Sequence, residues 1–128
     1  MSSELSIDGI KSSAVFTLLH DAISKMSEKE KKDQIKKVNG LFQLNIKNPK
    51  GQVGQWAIDF KKEAQVYKGT TKTKADVTID VSDDTFQTIA DGKLTGQKAF
   101  MSGQLKVKGN IMLATKLDTV LKTAKSKL

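Results

Sequence analysis

The sequence predicts an α+β domain, a mainly antiparallel five-stranded sheet covered by about five helices. Three observations predict it. Apolar residues recur at three- and four-residue spacing in a stretch near each end of the chain, which is helical periodicity. Between them the period falls to two, so each strand has one covered and one wetter face. A strong turn signal between the first two alternating runs joins them as a hairpin. At 128 residues the chain is a single domain, 1–128, able to hold a core without staples.

The first helix is predicted over residues 8–26. Asp8 is its candidate cap, and Ile10, Ala14, Val15, Leu18, Leu19, Ala22, Ile23 and Met26 form its apolar stripe. Residues 27–37 are highly charged and read as a second, exposed helix. Ser27 stands at its cap and Glu30 at the capping-box position. Phe42, Leu44 and Ile46 then alternate with Gln43, Asn45 and Lys47. After the Asn48-Pro49-Lys50-Gly51 turn, Trp56, Ile58 and Phe60 alternate with Gln55, Ala57 and Asp59. A weak third strand lies near Gln65-Val66-Tyr67, and Ala75, Val77, Ile79 and Val81 make a clear fourth.

Ser82 caps the next helix. Asp83 and Asp84 sit in its first turn, where the positive end of the helix dipole favours them. Phe86, Ile89 and Ala90 are its apolar face, and Asp91-Gly92 ends it. A short helix runs from Gly96 to Met101 and is closed by Gly103. Leu105 and Val107 mark the fifth strand. Asn110 caps a final helix with Ile111, Leu113, Ala114, Leu117, Val120, Leu121 and Ala124 along one face.

Composition excludes several kinds of chemistry. There is no cysteine, hence no disulfide scaffold, thiolate metal site or thiol nucleophile. The one histidine, His20, lies between Leu19 and Asp21 with no nucleophile or orienting partner indicated, and reads as a partly exposed helix residue. Asp76 and Asp80 fall on the polar strand face and are expected in solvent. No P-loop or calcium loop is present. No catalytic residue, metal or cofactor is predicted.

Charge is more informative. The net charge is +8, and every basic residue is lysine. Residues 1–91 carry 14 lysines against 13 acids, whereas residues 92–128 carry 8 lysines against Asp118 alone. Such asymmetry points to an anionic partner. The absence of arginine and the 5% aromatic content weigh against base reading and base stacking. No run approaches the ~18–20 apolar residues that span a bilayer. Met1-Ser2-Ser3-Glu4 does not begin a secretory signal. The chain ends in Ser126-Lys127-Leu128, the tripeptide read by the peroxisomal import receptor. Removing these three residues is expected to leave the protein in the cytosol with its other properties intact, because the signal is an address and not an anchor. Fluorescence localisation of tagged full-length and truncated chains checks this.

Residues 75–117 closely resemble the sterol carrier protein, or non-specific lipid-transfer, family. The most specific part is the Asp91-Gly92-Lys93 turn and the run Phe100, Gly103, Leu105-Lys106-Val107 and Gly109-Asn110 with the helix after it. The hairpin bearing Trp56, the Asp8-Gly9 helix start and the C-terminal tripeptide are also similar. A chain of this length with this ending resembles the small peroxisomal forms of yeasts and fungi. The resemblance implies an apolar tunnel between sheet and helices that takes long-chain fatty acids, fatty acyl-coenzyme A and other lipids. It implies delivery of these without chemistry, in support of peroxisomal fatty-acid β-oxidation.

The residues expected to contact lipid are Phe86, Ile89, Leu94, Gln97, Phe100, Met101, Ser102, Gly103, Gln104, Leu105, Ile111, Met112, Leu113, Leu117, Val120 and Leu121. The apolar pattern does not separate tunnel lining from core. Ser102 departs from the glutamine expected there from animal members, and its hydroxyl reaches less far toward a head group. Lys93, Lys98, Lys106, Lys108, Lys116 and Lys122, with Lys125, are expected to meet an anionic membrane surface or the phosphates of acyl-coenzyme A. Two other readings stay open on composition: a basic nucleic-acid-binding module, and a chaperone-like partner of peroxisomal enzymes.

Overall fold

The computed structural model describes residues 9–71 and 74–126. In chain order the elements are α1 (Ser13–Ser24), α2 (Glu28–Val38), β1 (Gly40–Lys47), β2 (Val53–Phe60), β3 (Ala64–Lys68), β4 (Val77–Ser82), α3 (Asp83–Ala90), α4 (Gly96–Met101), β5 (Leu105–Gly109) and α5 (Ile111–Ser126). The sheet order is β3-β2-β1-β4-β5. The pairs β1–β2, β2–β3 and β4–β5 are antiparallel, and β1–β4 is parallel. The expected α+β fold is found, with one parallel pair at the centre of the sheet.

Register explains the core. Phe42 lies between Ile58 and Val77, and Leu44 between Trp56 and Ile79, so one face of the sheet is continuously apolar. Phe16 of α1 stacks on Trp56, with ring centroids 4.4 Å apart, and on Phe86 of α3 at 5.2 Å. Each such fully buried side chain contributes roughly 1.5–3 kcal/mol. The stack ties α1 to the sheet and to α3 at once.

Local signals hold where they are local. Ser27 and Glu30 make the full capping box of α2. The Ser82 hydroxyl accepts from the Thr85 N–H, and the Asn110 side chain accepts from the Met112 N–H at 3.0 Å. Gly103 takes φ +78°, and with Gln104 it returns N–H groups to the carbonyls of Phe100 and Ala99, ending α4.

Four expectations are corrected. Helix α1 begins at Ser13, and its cap Ser12 makes no side-chain capping bond. The cap comes from Asp83, 71 residues away in sequence, whose buried carboxylate accepts from the backbone N–H groups of Lys11 and Ser12, both at 2.8 Å. Asp76 is not in solvent. Its Oδ2 accepts from the Leu41 N–H at 3.0 Å and its Oδ1 from Lys61 Nζ at 3.0 Å. That carboxylate replaces a ladder partner, so β4 starts at Val77 and not at Ala75. Asp80 accepts from the Asn45 amide at 2.8 Å. Finally, the second face of the sheet is partly covered. Gln43 is buried and reaches Trp56, Gly69 and Thr71, because the chain after β3 folds back over it.

Asp8, the side chains of Ala124, Lys125 and Ser126, and all of Lys127 and Leu128 lie outside the described residues. Ile111 is exposed and not on the buried face of α5, whereas Leu113, Ala114, Leu117, Val120 and Leu121 are buried as expected.

Candidate lipid-binding site

Helix α4 rests on α5 through its first residue. A Cβ on Gly96 would stand 3.1 Å from the Ala114 carbonyl oxygen, so glycine sets this close approach. The Gly96 N–H donates to both carboxylate oxygens of Asp118, each at 2.9 Å. Burial raises the Asp118 carboxyl above its ordinary value, opposed by the Gly96 bond and by the Lys122 charge. The folded state therefore keeps the Asp118 proton to higher pH than the unfolded chain. Stability from this group is full below the ordinary carboxylate value and is lost as pH rises through the raised one. Asp118→Asn keeps an acceptor for the Gly96 N–H and is expected to flatten that fall. Urea unfolding of both proteins from pH 4 to pH 7 checks this as a difference.

Two cavities flank this contact. One, of about 220 Å³ between α4 and α5, is lined by Gly96, Gln97, Phe100, Met101, Ile111, Ala114 and Thr115. The other, of about 100 Å³, is lined by Ile89, Ala90, Gly92, Leu94, Thr95, Asp118, Leu121 and Lys122. Together they reach the low end of the ~300–1,000 Å³ typical of small-molecule pockets. A third cavity, of about 510 Å³, lies where β1 and β4 end and β5 begins. Its wall mixes Lys47 and Lys106 with Asp80 and Asp84, unlike the one-signed groove that tracks a phosphate backbone.

The expected lipid contacts separate accordingly. Gln97, Phe100, Met101 and Ile111 meet at the 220 Å³ cavity, and Ile89, Leu94 and Leu121 at the 100 Å³ one. Gly103, Gln104 and Leu105 border the third. Phe86, Leu113, Leu117 and Val120 are core residues. Ser102 and Met112 are exposed and border none of the three. Ser102 is held within the α4–β5 turn, accepting from the Gln104 amide at 2.9 Å. Among the described residues Phe16, Trp56, Phe86, Leu44, Ile58 and Leu117 pack between sheet and helices, all nearly inaccessible to solvent.

Sequence reasoning missed Gly96, Ala114, Thr115 and Asp118 as wall residues. Thr115 follows Ile111 by one helical turn, and Asp118 is the single acid of residues 92–128, so both carried a signal.

The lysines differ in role. Lys93, Lys98, Lys106, Lys108 and Lys122 are exposed. Lys106 and Lys108 pair with Asp80 and Thr78 on the sheet face away from the helices. Lys116 donates to the Val38 carbonyl at 3.3 Å and so closes the end of α2. His20 is half-exposed, its Nδ1 3.6 Å from an Asp21 oxygen.

Residues 19–122 match the SCP-2 sterol transfer family. The chain is 39% identical over 127 residues to a fatty acid-binding protein of Yarrowia lipolytica, covering 97% of this chain and 98% of that one. It is 37% identical over 117 residues to an oleate-induced peroxisomal protein of Candida maltosa, covering 91% of each. The solved apo sterol carrier protein 2 of Yarrowia lipolytica superposes with a TM-score of 0.87 at 39% identity, covering 94% of this chain and 97% of that one.

Proposed function

This chain belongs to the SCP-2 sterol transfer family, and from that premise we propose that it binds one long-chain fatty acid, or its coenzyme A ester, and carries it without chemical change. The observation that carries this reading is the apolar cavity between α4 and α5, walled by Phe100, Met101, Ile111 and Ala114. The acyl chain enters there, parts the Gly96–Asp118 contact and runs along α5 toward Ile89, Leu94 and Leu121. Each buried methylene contributes ~0.8 kcal/mol, most of which is offset by ordering and desolvation. Gln97 and Thr115 are the neutral polar side chains of the cavity wall, available to an acyl head. Methionine at the rim adapts to varied tails.

The compartment is the peroxisome, as for the Candida relative named for it, and the carried chains feed fatty-acid β-oxidation. The import receptor is the partner that brings the protein there, and an anionic membrane surface is the one it meets in transfer. Mass spectrometry of lipid extracted from freshly purified protein tests the reading. Fatty acid at up to one per chain is expected. An extract free of lipid, from protein that also takes up no palmitate on incubation, contradicts it.

A further inference from the structure

The chain has four methionines and no cysteine, so its only oxidisable sulfur is thioether. Met26 is buried, whereas Met101 (76% exposed) and Met112 (71%) are open to solvent to nearly the same degree. They differ in one respect. Met101 ends α4 and belongs to the wall of the 220 Å³ cavity, while Met112 lies in the first turn of α5 and borders none of the three cavities. A wall residue that is mostly exposed stands at the rim, where an acyl chain passes from water into the cavity.

The rest of that wall sets what reaches Met101. Phe100, Ile111 and Ala114 are apolar, Gln97 and Thr115 are neutral and polar, and no charged side chain lines the cavity. Burying a polar group without a partner costs free energy. An acyl chain that bears a hydroperoxide therefore buries its unsubstituted methylenes and keeps the peroxide at the rim, on the side of Gln97, Thr115 and Met101. A thioether carries no titratable proton and is a nucleophile toward peroxide at any pH.

We propose that Met101 reduces a fatty-acid hydroperoxide bound in this cavity, once per chain. The sulfur donates an electron pair to the terminal peroxide oxygen, and the S–O bond forms as the O–O bond breaks. The proton on the transferred oxygen passes to the departing alkoxide. The products are the sulfoxide of Met101 and a hydroxy fatty acid: sulfur loses two electrons and the peroxide gains them. An acyl chain without the peroxide is carried unchanged. Entry of the chain rests on the proposed carrier function; the redox step is additional to it.

Linoleic acid hydroperoxide and hydrogen peroxide are the two oxidants of the test. Peptide mass spectrometry reads the sulfoxide at Met101 and at Met112 in the same chain. With hydrogen peroxide, which needs no site, both are expected to oxidise at similar rates. With the lipid hydroperoxide Met101 is expected to outpace Met112 at least ~10-fold, because the reactants are held together. One hydroxy fatty acid should form per sulfoxide, and excess palmitate should suppress the preference. Met101→Leu should stop this rapid formation of the hydroxy acid, and Met112→Leu should not. The same ratio of Met101 to Met112 with both oxidants, or a preference that palmitate leaves untouched, overturns the proposal. Palmitate titration runs beside these assays. Saturable binding without a Met101 preference overturns this inference alone, whereas absence of binding overturns the carrier reading and the inference with it.

Discussion

Asp83→Ala is expected to cost about 3 kcal/mol of folding stability, roughly a 150-fold shift toward the unfolded chain. The side chain is 1% exposed, and each carboxylate oxygen holds one backbone N–H at the start of α1. A hydrogen bond to a charged group contributes ~1.5–3 kcal/mol, and its loss here leaves two donors without that acceptor, the Ser12 N–H buried and the Lys11 N–H partly buried. Asp83→Asn keeps one acceptor and should cost about half as much. Asp84→Ala is the internal control. That neighbour makes an exposed ion pair with Lys11 at 3.2 Å, which contributes below ~1 kcal/mol. Urea unfolding of the three variants checks the order. Equal losses for Asp83→Ala and Asp84→Ala would mean that the long-range Asp83 cap is not what anchors α1.

Thr115→Trp is expected to weaken palmitate binding about 30-fold with little change in stability. Thr115 is exposed, lines the 220 Å³ cavity and is one turn from Ile111. An indole there excludes two to three methylenes, about 2 kcal/mol of burial. Thr119→Trp, on the next turn, is also exposed and borders none of the three cavities. It should leave the affinity unchanged. Fluorescent fatty-acid displacement on both variants measures the difference.

These two residues show what the sequence discloses and what it hides. The capping box of Ser27 and Glu30 is legible because all its atoms come from four consecutive residues. The hairpin is legible because the Asn48–Gly51 turn and both alternating runs are local. The cap of α1 is not, since its acceptor arrives from Asp83. For the same reason Asp76 looked solvated, although the parallel β1–β4 pairing brings it to Leu41. In the site, helical spacing located α4 and α5 but did not show which apolar residues turn inward. Leu113 and Leu117 are core, while Ile111 and Met112, on the same helix, face out. The wall of the cavity comes from the distance between two helices, set by Gly96 against the Ala114 carbonyl, and no periodicity encodes a distance.

Calorimetric titration of palmitate into delipidated full-length protein tests the carrier function most directly. One saturable site per chain is predicted, with a negative heat-capacity change from apolar burial and with affinity reduced by Thr115→Trp but not by Thr119→Trp. Heat that never saturates, or saturation that Thr115→Trp leaves untouched, would contradict an acyl site between α4 and α5.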